Sequence, residues 1–125
     1  MAEDRKAFVI KEDAMGEITV AEEVVAIIAG IASTEVEGVS AMSGNITNEL
    51  VAKLGMKNLS KGVRVEMNEN NVSVQVSIIV DFAANVPEVS RKVQERIKTS
   101  IENMTGLTVS EVNVKIAGID VSKDN

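Results

Sequence analysis

Apolar residues recur at every second position in the middle of the chain, over residues 63–67 and again over residues 72–82. A period of two places alternate side chains on one face of a strand. Residues 68–71 between them read NENN, and asparagine tolerates the positive φ of tight turns. The pattern therefore predicts a hairpin of two antiparallel strands, each with one apolar face.

A single apolar stripe at helical spacing follows this hairpin. The stripe predicts a helix that begins near Pro87, because proline is favoured at the first helical position, and that ends at Gly106. Charged residues at i,i+4 spacing occupy the opposite side and predict a solvated outer face. The stripe consists of Val89, Val93, Ile97, Ile101 and Met104.

A second long helix is predicted from Val20 to about Glu35, with apolar residues on more than one side. Thr19 and Glu22 have the spacing of a capping box, in which each side chain bonds the other's backbone N–H. Gly38 follows where a left-handed C-terminal cap would lie. The pattern predicts that this helix is covered on more than one side.

Weaker patterns complete the prediction. They indicate a short strand at Val39–Met42, a weak helix over residues 46–54, and a final strand over residues 112–116 with a bulge at Gly118. The element order is (β)-α-β-(α)-β-β-α-β. We expect an α+β, two-layer single domain, with a mostly antiparallel sheet and two long helices on one face.

The predicted domain occupies residues 16–121, between a flexible N-terminal arm at 1–15 and a polar tail at 122–125. Within the arm, residues 8–10 read FVI and leave three alternatives open, an added edge strand, a contact with a partner or a frayed terminus. The longest uncharged apolar run has nine residues, from Val24 to Ala32. Because a helix that spans a bilayer needs about 20, we expect a soluble, cytoplasmic protein, with any membrane association made through a partner.

Composition excludes several kinds of catalytic site. The chain has no histidine and no cysteine, so it has no imidazole base, thiolate nucleophile or thiolate metal site. No phosphate-binding glycine loop occurs, and the adjacent Glu22 and Glu23 point about 100° apart on a helix, which does not make an acid/base pair. We therefore expect a protein that is not an enzyme and that uses no cofactor or metal.

Basic residues gather in the middle of an acidic chain, which has 13 basic and 19 acidic side chains. Four of the basic residues lie within the twelve positions 53–64. Such a cluster suits an anionic partner, although without aromatic residues to stack on bases it does not indicate nucleic acid. Neighbouring methionine and leucine residues could add an adaptable apolar surface. The partner-binding candidates are Met42, Leu50, Lys53, Leu54, Met56, Lys57, Lys61 and Arg64.

Segments distributed over about residues 16–120 resemble the alkaline shock protein / general stress protein family of Gram-positive bacteria. The likeness rests on GEITVA at 16–21 with the valines at 24–25, EVEGV at 35–39, KNLSKGV at 57–63, and a stretch that runs from VQ at 93–94 through IENMTGL at 101–107 to VNV at 112–114. Members of the family often have a Tyr-Gly pair before the long helix, where this chain has Phe82-Ala83. Because alanine disfavours a positive φ, we expect the turn to differ here.

The resemblance implies a non-catalytic binding or scaffolding protein of the cell-envelope stress response that acts through protein-protein contacts. A membrane anchor protein and a second copy of the chain are the partners that fit this hypothesis. The first alternative is a regulator associated with acetyl-CoA carboxylase and fatty-acid synthesis. The second, of another class, is a small-ligand carrier or an enzyme that uses lysine, serine and carboxylates.

Overall fold

The computed structural model describes residues 7–43, 60–68 and 71–122. These residues form an α+β domain, as predicted. Neither helix in the described segments is both long enough and apolar enough to cross a bilayer. In chain order the elements are β1 (Ala7–Asp13), β2 (Gly16–Ala21), α1 (Glu22–Thr34), β3 (Val39–Met42), β4 (Val63–Asn68), β5 (Asn71–Asp81), α2 (Val86–Thr105) and β6 (Thr108–Asp120).

Strand β5 organises the larger sheet because three other strands pair with it. β4 pairs antiparallel with its first half, and β3 pairs antiparallel with its second half. β6 pairs with β5 along its whole length and runs parallel to it. Since a strand has two edges, β3 and β4 share one edge of β5 and β6 takes the other.

The two helices lie on one face of this sheet, as predicted. α1 packs against β3, β4 and β5, α2 packs against β6, and the helices contact each other. The sheet side chains that face the helices are buried, and we call this side of the sheet the covered face. On β5 it consists of Val72, Val74, Val76, Ile78 and Val80.

Helix α2 agrees with its predicted stripe and caps. The Asn85 side chain accepts a hydrogen bond from the Glu88 N–H at 3.0 Å, and Gly106 ends the helix with φ 80°. Four stripe residues are buried, but Met104 is 70% exposed, so its place in the predicted core is wrong. The buried position in the last turn belongs to Thr105, which follows Ile101 at the i+4 spacing.

The predicted capping box at the start of α1 is absent. Thr19 lies inside β2, and the helix starts at Glu22 without a side-chain cap. β2 pairs antiparallel with β1, so residues 8–10 do form a strand, but in a two-stranded sheet separate from the larger sheet. The reason is burial: Phe8 is 2% exposed within the core and lies opposite Val20, so strand pairing outcompetes the local cap.

Two turns beside the start of α2 depend on positive φ angles. Gly38 has φ 102°, and a Cβ built on it would lie 2.7 Å from Val89 Cγ2, so glycine lets the chain approach the helix. Ala83 also takes a positive φ, 72°. Alanine therefore does adopt a positive φ in this turn, contrary to the preference on which the expectation of a different turn rested.

Candidate interaction surface

The sheet face opposite the helices carries polar side chains from three adjacent strands. We call it the open face, and its β5 residues are the polar set that alternates with the buried valines. Cross-strand register aligns Arg64, Gln75 and Asn113 in one row, and Ser77 and Lys115 in the next polar row. The face consists of Arg64 and Glu66 on β4, Ser73, Gln75 and Ser77 on β5, and Glu111, Asn113 and Lys115 on β6.

A small polar notch opens on this face where β3 ends and β4 begins. Its volume is about 160 Å³. The Ser43 N–H donates to the Ser77 carbonyl at 2.9 Å, which fixes one wall. A Cβ built on Gly62 would lie 3.2 Å from that same carbonyl, so glycine lets the opposite wall come close. The notch is lined by Ser43, Lys61, Gly62, Val63, Arg64, Gln75 and Ser77.

The chemistry of the notch suits an anion. Lys61 and Arg64 are both exposed, and each offers a positive charge together with N–H donors. Gln75 and Ser77 also line the notch and add neutral hydrogen-bonding groups to it. Carboxylates and phosphates are the groups that such a set of donors binds best. The charge contrast is large, because the whole chain carries a formal net charge of −6.

The binding candidates that the sequence predicts do not all lie in the same part of the structure. Lys61 and Arg64 line the notch, which brings two of the predicted cations together. Met42 is 0% exposed and lies in the core, so its side chain is not on the surface where a partner could touch it. Its burial follows from its register, since it lies opposite Ile78 on the covered face. The remaining candidates lie outside the described residues: Leu50, Lys53, Leu54, Met56 and Lys57.

Alternation predicts that Lys115 lies on the polar face of the sheet with Ser73, Gln75, Ser77 and Asn113, but it does not show which residues lie beside it, because Lys115 is more than fifty positions from the predicted cations. Parallel pairing of β6 with β5 places it directly beside Ser77. Its alternation with Val114 and Ile116 does indicate the polar face. Only the pairing shows which residues on the neighbouring strands it joins.

A larger, open cleft of about 530 Å³ lies between the start of α1 and β4. Its charged groups are mainly carboxylates, with Glu22, Glu23 and Glu66 set against Arg64. Within the described segments no three acidic, histidine or cysteine residues are grouped as a metal site would require. Arg64 therefore lines both this acidic cleft and the polar notch.

Comparison with known proteins identifies the family. Residues 10–121 match the alkaline shock protein 23 family, which is described as having a cell envelope-related function. The chain belongs to this family. The match covers nearly all of the described domain, including both helices and the open face, and it confirms the resemblance to alkaline shock proteins.

Comparison with individual proteins adds a connection with the stress response. The chain is 39% identical to the Bacillus subtilis protein YqhY over 105 residues, which covers 84% of this chain and 78% of YqhY. It is 33% identical to Spy1614 of Streptococcus pyogenes, over 88% of this chain and 93% of that protein. It is also 30% identical to a Streptococcus pyogenes protein named a stress response regulator gls24 homolog, over 83% of this chain and 59% of that protein. The chain therefore has a role related to stress and the cell envelope.

Proposed function

We propose that this chain is a non-catalytic binding or scaffolding protein of the cell-envelope stress response, and that its notch holds an acidic segment of a protein partner. The observation that carries the proposal is the pair of exposed cations, Lys61 and Arg64, beside the hydrogen-bonding groups of Gln75 and Ser77. An acidic chain would otherwise repel an acidic partner, so a local basic site decides where contact occurs.

A protein segment fits this surface better than nucleic acid does. The chain contains two phenylalanines and no tryptophan or tyrosine, which leaves little aromatic surface for stacking bases. The acidic total also opposes a polyanion whose charge continues far beyond the notch. A short acidic peptide places its few negative charges at the notch and avoids the carboxylates around it.

The proposed site of action is the cytoplasm, with membrane association made through the partner. A membrane anchor protein that carries an acidic segment is the partner we favour. The notch would hold that segment while the covered face and helices remain packed. No step of this mechanism requires a nucleophile, a general base or a metal.

The test compares two double charge reversals in native cells. Lys61→Glu with Arg64→Glu removes the notch cations, while Arg91→Glu with Lys92→Glu makes the same charge change on the solvated side of α2. Crosslinked partners are then captured with wild type and with each variant, identified by mass spectrometry and quantified. We expect the notch variant to lose its main partner and the α2 variant to retain it, although reversing Arg91 and Lys92 also replaces their ion pairs with Glu95 and Glu88 by repulsive pairs. Thermal melts should show that both variants are cooperatively folded.

Identification of the captured partner separates the hypotheses. A membrane anchor protein supports the scaffold, whereas subunits of acetyl-CoA carboxylase support the regulator of fatty-acid synthesis. Equal capture by wild type and by the notch variant would contradict the proposed site. A wider variant, Lys53, Lys57 and Lys61 each to Glu, tests whether the rest of the predicted basic cluster contributes to the same contact.

A further inference from the structure

The outer edge of β6 carries a short regular segment that is suited to pairing with another strand. Among the described residues, β6 pairs with β5 alone. Its pairing with β5 shifts register at Ser110 and again at Ala117, and between those two points residues 111–116 are regular. An edge strand of this kind presents backbone donors and acceptors that another chain can use.

A hydrogen bond from α2 shows which residues present their backbone at this edge. The Gln94 side chain donates from Nε2 to the Val112 carbonyl at 3.0 Å, so that carbonyl points away from β5. Because backbone direction alternates along a strand, Val114 and Ile116 present their N–H and C=O groups on the same side. The side chains of Glu111, Asn113 and Lys115 then stand on the open face beside this edge.

The charges in this segment are self-complementary. We propose that two copies of the chain pair antiparallel through their β6 edges, about a two-fold axis at Asn113. This register places Glu111 of each copy opposite Lys115 of the other and therefore forms two cross-strand ion pairs. On the covered face it places Val112 opposite Val114, and the two sheets join into one continuous sheet.

Other two-fold registers at this edge are less favourable. A centre at Lys115 places the two lysines of the dimer opposite each other, and like charges directly opposite are destabilising. A centre at Val114 places Lys115 opposite Asn113 and forms no ion pair. Only the centre at Asn113 pairs both charged positions with opposite charges while keeping Val112 and Val114, whose backbone groups face outward, opposite each other.

Side chains of α2 limit the pairing to this segment. The Glu102 carboxylate accepts from the Val109 N–H at 2.9 Å, and Lys98 Nζ donates to the Val109 carbonyl at 3.1 Å. These contacts close the edge before Ser110. Gln94 must release Val112 when the second copy binds, and the strand-to-strand hydrogen bond replaces the contact that it gives up. Gln94 therefore limits the strength of the dimer without preventing it.

Sedimentation equilibrium of the full chain, from about 1 µM to about 1 mM, tests the proposal. We expect a monomer–dimer equilibrium for wild type. Glu111→Lys or Lys115→Glu alone should weaken the dimer by roughly tenfold, because each replaces two attractive pairs with two repulsive ones. The double variant E111K/K115E restores both pairs with their signs exchanged, so its dimerisation should return to about the wild-type level.

Gln94→Ala frees the Val112 carbonyl and should strengthen the dimer.

Controls separate this surface from folding and from the notch. Glu111 accepts hydrogen bonds from Ser73 and Asn113, so a thermal melt of each variant must show that the monomer is folded. Arg91→Glu and the notch variant Lys61→Glu with Arg64→Glu should leave the equilibrium unchanged. Wild type that stays monomeric throughout would overturn the proposal. Single reversals without effect, or a double variant as weak as the singles, would do the same.

Discussion

The two faces of the central sheet are formed by the same strands, but one face stabilises the fold and the other carries exposed polar and charged side chains. On β5 the even-numbered residues from Val72 to Val80 are buried under the helices, while Gln75 on the other face is exposed. The covered face holds the fold together by removing apolar area from water. The open face contributes less to stability, so its side chains are available to arrange charge, including the notch and the complementary residues of β6. The contrast predicts that stability and binding respond to different substitutions.

The largest effect should come from a charge placed on the covered face. Val76 is 0% exposed, so Val76→Asp buries a carboxylate without a partner and should unfold the domain. Gln75→Asp, one position away on the open face, should cost about 1 kcal/mol or less. Thermal denaturation followed by circular dichroism measures both. Cooperative melting of Val76→Asp near the wild-type temperature would show that the two faces are assigned incorrectly.

Removing apolar side-chain volume should show the same contrast between the two faces, with a smaller loss of stability. Ile97 of α2 is fully buried between helix and sheet, so Ile97→Ala should lower the free energy of unfolding by about 2–5 kcal/mol. Ile79 lies on β5 but faces away from the helices and is only partly buried. Ile79→Ala should cost about 1 kcal/mol. Urea titrations give both values, and equal losses would contradict the contrast between the faces.

A substitution in the turn that links the sheet to α2 should stabilise the protein. Ala83 has φ 72°, a region that costs an L-residue about 1–2 kcal/mol. Ala83→Gly removes this strain, although glycine also makes the unfolded chain more flexible, so we expect a net gain of about 0.5–1 kcal/mol. Ala84→Gly in the same turn is the control and should not stabilise. A loss of stability in Ala83→Gly would show that the positive φ is not strained.

The smallest effect should lie at the edge of β6 and should depend on pH. The Val109 N–H, followed by Lys98, lowers the pKa of Glu102 below its usual value. A carboxyl whose pKa is lowered by folding contributes stability above its unfolded pKa of about 4.3 and loses it as pH falls through the folded pKa. Glu102→Gln should therefore melt below wild type at pH 7, and the gap should narrow toward pH 3.

Glu95→Gln on the solvated side of α2 is the matched control for this pH series, since Glu95 is exposed and forms an ion pair with Arg91 at 3.3 Å. We expect its melting temperature to follow wild type at each pH. A Glu102→Gln gap that is constant across the range would show that the ionised carboxylate is not what stabilises this edge.

Much of the candidate site follows from local patterns. Lys61 and Arg64 were predicted as binding residues from their charge and spacing, and the polar alternation of β5 indicated an exposed face. Met42 was misplaced because a four-residue strand cannot show which of its faces is buried. The register of β3 shifts between Val39 and Ala41, which breaks simple alternation in that strand. Alternation already predicted that Lys115 lies on the polar face, but its position beside Ser77 follows only from the pairing of β6 with β5.

The sequence alone determined the features that depend on neighbouring residues. These are the alternation of β4 and β5, the stripe and caps of α2, the α+β class, and the absence of imidazole and thiol chemistry. Tertiary structure decided what depends on burial and on distant partners. Burial of Phe8 favours pairing of β1 with β2, so residues 16–21 form a strand although Thr19 and Glu22 alone favour a helix cap. The surrounding turn likewise keeps Ala83 at a positive φ. In each case burial and pairing outweigh local preferences, which amount to only about 1–2 kcal/mol.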